Sequence, residues 1–191
     1  MQFFGDSYDV VKRFLLRTVA PEAKWTAFPM FTHEVAAGEI ATLEAFLGVI
    51  VTSPHAITRS TDRATHLSVA ANHRYVFLDP DTGVKLKPSK GRGASAVKYV
   101  FGPELVSLCE QNRNRLLLVF DQSVPRGNES KAVAAKLTYF RERGLHGFAY
   151  LSHACFLVLS GSESASRAAR KRLLASHLPK ARLVVAGDAE L

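Results

Sequence analysis

The chain has 191 residues, 47% of them hydrophobic and 22% charged, which excludes wholesale disorder and allows one large domain that needs neither disulfides nor a structural metal. Lys and Arg number 25 against 17 Asp and Glu, a net charge of +8, and that balance favours an anionic partner, with nucleic acid the commonest candidate. A basic surface that serves only solubility is the alternative. No apolar run approaches the ~20 residues of a membrane span. The opening MQFFGDSYDVVKR lacks a basic-then-apolar secretory pattern. Cys109 and Cys155 each sit inside an apolar run, which suits small core residues in a reducing compartment and hence a cytoplasmic protein.

The first element reads as a helix capped by Asp6 or Ser7, with Val11, Leu15 and Val19 along one face, Arg13 and Arg17 opposite, and Pro21 as its stop. WTAFPMFT (25–32) reads as a short strand, 39–47 as a short helix, and GVIVTS (48–53) as a β-branched strand bounded by Ser53-Pro54. His66–Ala70 reads as a further short strand. YVFLDPDTG (75–83) is the clearest one: an apolar run that stops at a turn sequence, as in a strand buried on both faces. Segment 83–102, with glycines at 83, 91, 93 and 102, reads as irregular. A helix follows over 103–110, with Pro103 in its first turn, and then the apolar strand RLLLVFDQS (115–123). Asn128 caps a helix carrying Val133, Leu137 and Phe140 and stopped by Gly144. Residues 147–152 and 155–161 read as a tight antiparallel pair, followed by a basic helix over 162–177 and a last strand over 181–187. Strands alternating with helices predict a single α/β domain over 1–191: a doubly wound, mostly parallel, Rossmann-like sheet with a C-terminal antiparallel strand pair.

In such sheets ligands bind outside the carboxyl ends of the strands. That rule selects Pro29–Glu34, Asp79–Gly83 and Asp121–Gly127. Asp79-Pro80-Asp81-Thr82-Gly83 brings two acids to that edge, able to bind a metal, accept a hydrogen bond from an amine or act as a base, although an ordinary turn has the same composition. Asp121 would approach Asp79 if the two apolar strands are neighbours. Lys85, Lys87, Lys90, Arg92 and Lys98, with no acid among them, and Arg126 are the candidate phosphate contacts; a solvated loop is the plainer alternative. His33 and Glu34 are further candidates after the first strand. The remaining histidines show no metal-ligand spacing, and no Walker A loop, G-x-S-x-G or G-x-G-x-x-G is present.

Gly5-Asp6-Ser7-Tyr8-Asp9-Val10-Val11-Lys12-Arg13 is similar to the opening helix of bacterial 23S ribosomal RNA adenine-N6 methyltransferases and of the related three-Cys-motif partner family, and Val76–Thr82 resembles their Asp-Pro-Pro-Tyr strand. The resemblance implies S-adenosylmethionine as cofactor, near Phe31, Thr32 and Glu34, and an adenine amino group held by Asp79 and the Pro80 carbonyl. The sequence departs from the family at three places. Pro29–Glu34 has no glycine, no acid follows GVIVT, and Asp81 and Thr82 replace the motif's second proline and stacking aromatic. Asp79-x-Asp81-x-x-Gly83 also resembles the metal turn of Toprim-type nucleases, which implies magnesium on Glu34, Asp79 and Asp81 and phosphodiester cleavage. A non-catalytic nucleic-acid-binding relic of the methyltransferase fold is the third reading.

Overall fold

A computed structural model describes residues 5–87 and 94–186. Helix α1 (Ser7–Val19) is started by Asp6, whose Oδ1 accepts the amide N–H of Tyr8 at 2.8 Å and of Asp9 at 3.1 Å. Then come β1 (Trp25–Phe28), α2 (Ala37–Leu47), β2 (Val49–Val51), α3 (Arg63–Ser68) with a 3₁₀ turn over Val69–Asn72, and β3 (Tyr75–Leu78). After β4 (Gly83–Lys85) and β5 (Tyr99–Phe101) the chain continues through α4 (Gly102–Gln111), β6 (Leu116–Asp121), α5 (Glu129–Arg141), β7 (His146–Leu151), β8 (Cys155–Ser160), α6 (Glu163–Ala175) and β9 (Leu183–Val185).

Seven strands form one sheet in the order β2-β1-β3-β6-β8-β7-β9. Pairing is parallel from β2 to β6 and antiparallel through β8, β7 and β9. The fold is therefore the expected doubly wound α/β arrangement, with the β7–β8 hairpin set antiparallel into it. Period-two alternation along the central strands separates two cores. Phe28, Val76, Leu78, Leu117 and Val119 face α3, α4 and α5, contributing Leu67, Leu105 and Leu137. Ala27, Phe77, Leu118 and Phe120 face α1, α2 and α6, contributing Leu15, Leu43 and Leu173. Cys109 and Cys155 are buried free thiols in the first of these cores, and burial pushes the Cys109 thiol up to about 12.

Two expectations are corrected. His66–Ala70 is not a strand: it lies in α3 and the following 3₁₀ turn, where Asp62 caps the helix by accepting from the Ala64 amide at 3.1 Å. Segment 83–102 is not wholly irregular, since β4 and β5 form a separate two-stranded parallel sheet. This small sheet is fastened by Asp121, whose Oδ1 accepts the Val84 amide at 3.0 Å.

Gly83 makes that fastening possible. Its φ is +138°, and a Cβ there would stand 2.1 Å from Asp121 Oδ1 and 3.0 Å from the Gln122 and Ser123 amide nitrogens. Replacing Gly83 with Ala therefore adds strain and expels the carboxylate, and thermal or urea unfolding should register a loss of about 2 kcal/mol or more. An unchanged midpoint would contradict this packing.

Candidate functional site

The carboxyl ends of β1, β3 and β6 open on a cleft of about 710 Å³, closed on one side by the start of α1. Its lining includes the cap Asp6 with Tyr8, Asp9 and Lys12 from α1, Pro29–His33 after β1, Asp79–Asp81 after β3, Phe120 from β6 and Gln122 just after it. The cleft thus lies at the carboxyl ends of the parallel strands, where such a sheet places its ligands.

Lys12 is its electrostatic centre. The buried ammonium donates to Asp79 Oδ2 at 2.8 Å and to Asp9 Oδ1 at 3.1 Å, and lies 4.5 Å from the centroid of the Phe120 ring. Asp9 Oδ2 accepts the Gly5 amide at 2.9 Å. Among the described residues four carboxylates line the cleft, at Asp6, Asp9, Asp79 and Asp81, against Lys12 as its one lysine. This imbalance moves two groups the same way. Burial disfavours the Lys12 charge, yet Asp79 and Asp9 outweigh it and raise its pKa. Burial raises the Asp79 carboxyl, Lys12 opposes it, and Asp9 and Asp6 add to the rise. A basic protein therefore carries an acid-rich cleft that gains by taking up positive charge.

The turn after β1 has no glycine, but Met30 adopts φ +50° there, with its side chain 1% exposed. A left-handed backbone is uncommon for such a residue and is held in place by the buried side chain. At the carboxyl end of β2 no acid appears. Instead Thr52 Oγ1 is buried without a hydrogen-bond partner among the described residues.

The predicted site residues divide. Phe31, Thr32, His33, Asp79, Pro80 and Asp81 share the cleft. Asp121 does not join them. It is 0% exposed and faces the other side of the sheet, where Ser123 Oγ donates to it at 2.6 Å and Lys136 forms a buried ion pair with it. Lys136 also donates to the Val84 carbonyl at 2.9 Å, so Asp121 is a structural anchor rather than a third cleft acid. Glu34 is exposed and outside the cleft lining. Among the described residues no three His, Cys, Asp or Glu side chains stand so as to hold a metal ion, and the Glu34–Asp79–Asp81 metal set is not assembled. Lys98 Nζ reaches Asp81 at 3.1 Å on the cleft rim, Lys85 Nζ lies 3.9 Å from the Tyr99 ring centroid, and Lys87 and Arg126 are exposed. Lys90 and Arg92 lie outside the described residues.

Sequence reasoning did not place Asp6, Tyr8, Asp9 or Lys12 in a site. Their signal was the three-residue spacing of Asp6, Asp9 and Lys12, which puts all three on one helix face. Comparison with family models, curated proteins and solved structures gives no match.

The pair sets a pH test. Asp79 binds its proton more tightly folded than unfolded, so its ionisation costs stability as pH rises above the ordinary carboxylate range; the stability from Lys12 is present below 10.5 and is lost only as pH rises through its raised pKa. Lys12→Met should raise the Asp79 carboxyl further. Its stability deficit should grow to about 3 kcal/mol between about pH 5 and about pH 8, because unpaired carboxylates are left in the cleft. A deficit that stays constant across pH in thermal unfolding would show that Lys12 does not compensate Asp79.

Proposed function

We propose that the protein is a methyltransferase-like domain that binds S-adenosylmethionine in the cleft and acts on an exocyclic amine of a nucleic-acid base, RNA ahead of DNA. The observation that carries this reading is the meeting of Asp79-Pro80, the β1 turn and the Asp6–Lys12 helix face in one cleft. The first and last of these belong to the two stretches on which the family resemblance rests, 67 residues apart at Lys12 and Asp79. A C-terminal antiparallel strand pair beside the parallel strands β2 to β6 is also in keeping with that resemblance.

The cleft suits the cofactor in three respects. Its volume falls in the range of small-molecule sites. Its surplus of carboxylates favours a cationic ligand. The left-handed turn at Met30 supplies the backbone conformation otherwise left to glycine. Phe31, Thr32 and the Met30 turn would hold the cofactor, with the unpartnered Thr52 hydroxyl at the neighbouring strand end. When bound, S-adenosylmethionine supplies an electrophilic methyl group. Asp79 and the Pro80 carbonyl would accept the N–H bonds of the amine and aim its nitrogen. Asp9 would keep Lys12 charged and in place while Asp79 turns to the substrate. Lys85, Lys87 and Lys98 would contact the phosphate backbone, Lys98 from its place 3.1 Å from Asp81.

A binding protein that keeps the fold without chemistry is the second reading. It is favoured by the occupation of the Asp79 carboxylate by Lys12 at 2.8 Å.

The two separate in a methyl-transfer assay with labelled S-adenosylmethionine and total RNA. The proposal expects label in RNA, and at least about a hundredfold loss in Asp79→Ala, the scale of a group that positions a reacting atom. No labelling beside salt-sensitive RNA binding leaves the binding protein. RNA affinity should fall about 10- to 100-fold between about 50 and about 200 mM salt, and fall less steeply in a Lys85→Gln/Lys87→Gln/Lys98→Gln variant. Salt-independent binding would remove the phosphate contacts from the account.

A further inference from the structure

Among the described residues the Phe and Tyr rings lining the cleft are those of Tyr8, Phe31 and Phe120. Phe31 is 8% and Phe120 5% exposed, so both are spent on the core, whereas Tyr8 is half-buried and keeps part of its ring at the cleft surface. The ring is firmly placed. Tyr8 sits in the first turn of α1, fixed there by its amide bond to Asp6 at 2.8 Å. Phe120 meets it edge-on at a centroid distance of 5.5 Å, and the His153 ring lies 4.1 Å away, tilted by 45°. His153 is itself held by Ser7, with Oγ and Nε2 3.3 Å apart. The β7–β8 turn thus buttresses an aromatic side chain one helical turn from Lys12, the partner of Asp79.

We infer that Tyr8 is the stacking platform of the acceptor subsite, taking the ring of an amine-bearing nucleobase beside Asp79. The inference rests on the proposed function and deepens it. Thr82 stands where an aromatic would follow Asp79-Pro80, and Thr82 has no ring. A base entering a cleft whose polar floor is Asp79-Pro80 needs a flat apolar partner for its face, because a hydrogen-bonded edge alone leaves that face half-solvated. Tyr8 offers a rigid ring with only two side-chain torsions to order, and its backing by His153 and Phe120 fixes it before any ligand arrives. A stacking ring reads the presence of a base and leaves discrimination between amines and carbonyls to Asp79.

The test compares two short single-stranded oligonucleotides, one with a single adenine between abasic positions and one abasic throughout, bound in the presence of S-adenosylhomocysteine. Wild type should prefer the adenine oligonucleotide by about tenfold, the scale of one aromatic–base stack. Tyr8→Phe should keep that preference and Tyr8→Leu should reduce it to about onefold, while the thermal shift given by S-adenosylhomocysteine stays the same in all three proteins. A preference that survives in Tyr8→Leu, or is absent in wild type with the cofactor shift intact, overturns the Tyr8 assignment alone. Absence of both cofactor shift and oligonucleotide binding overturns the proposed function and this inference with it.

Discussion

Lys12 joins the first helix to the end of the third strand, and the cleft is built around that bond. The ammonium lies 2.8 Å from Asp79 and 3.1 Å from Asp9, in a site where neither carboxylate is well hydrated. A charge taken out of water is tolerated only with close partners, so Lys12 fixes the distance between α1 and β3. It also draws Tyr8, one turn earlier, to the mouth of the cleft. Asp6 contributes twice: it caps the helix and adds negative charge to the cleft. One helix terminus thus sets both the shape and the polarity of the site.

The chain contains a second buried lysine–aspartate pair, and the comparison separates structure from function. Asp121 is fully buried, and its bonds and those of Lys136 to Val84 and Ser123 fasten β4 to the main sheet. Asp79 and Lys12 instead stand at the surface of an open cleft, with the Asp79 side chain 16% exposed. A fully satisfied pair of the first kind rigidifies, whereas an accessible pair with surplus acid beside it can exchange a partner for a ligand. The net charge of +8 sharpens this contrast. Among the described residues Lys12 is the one lysine of the cleft lining, so the positive surplus of the chain lies outside an acid-rich cleft.

The sheet was legible because β3 and β6 are apolar on both faces, and only burial between two helix layers accommodates such strands. The adjacency of β3 and β6, only a condition at the level of sequence, holds, yet the approach of Asp121 to Asp79 that it would have given does not. Side chains alternate along a strand, so Phe120 faces the cleft side and Asp121 the opposite core, where Lys136 awaits it. His66–Ala70 misled because a six-residue helix shows too little of its period to be told from a strand. The β4–β5 pair escaped notice because three-residue strands carrying Gly83, Lys85 and Tyr99 have no alternation to read. Lys12 was visible only as part of a motif. Its meeting with Asp79 spans 67 residues of chain and is fixed by tertiary packing, which local pattern does not encode.

The Asp6–Lys12 face, the Met30 turn and Asp79-Pro80 line one cleft, proposed above to bind S-adenosylmethionine. Amide hydrogen exchange with and without S-adenosylhomocysteine tests it most directly, because it reports where the ligand acts without requiring catalysis. The account predicts added protection over residues 30–34, 79, 81–83 and the first turn of α1, with little change over α5 or α6. Protection confined to α5 or α6, or no protection at saturating ligand, would contradict it.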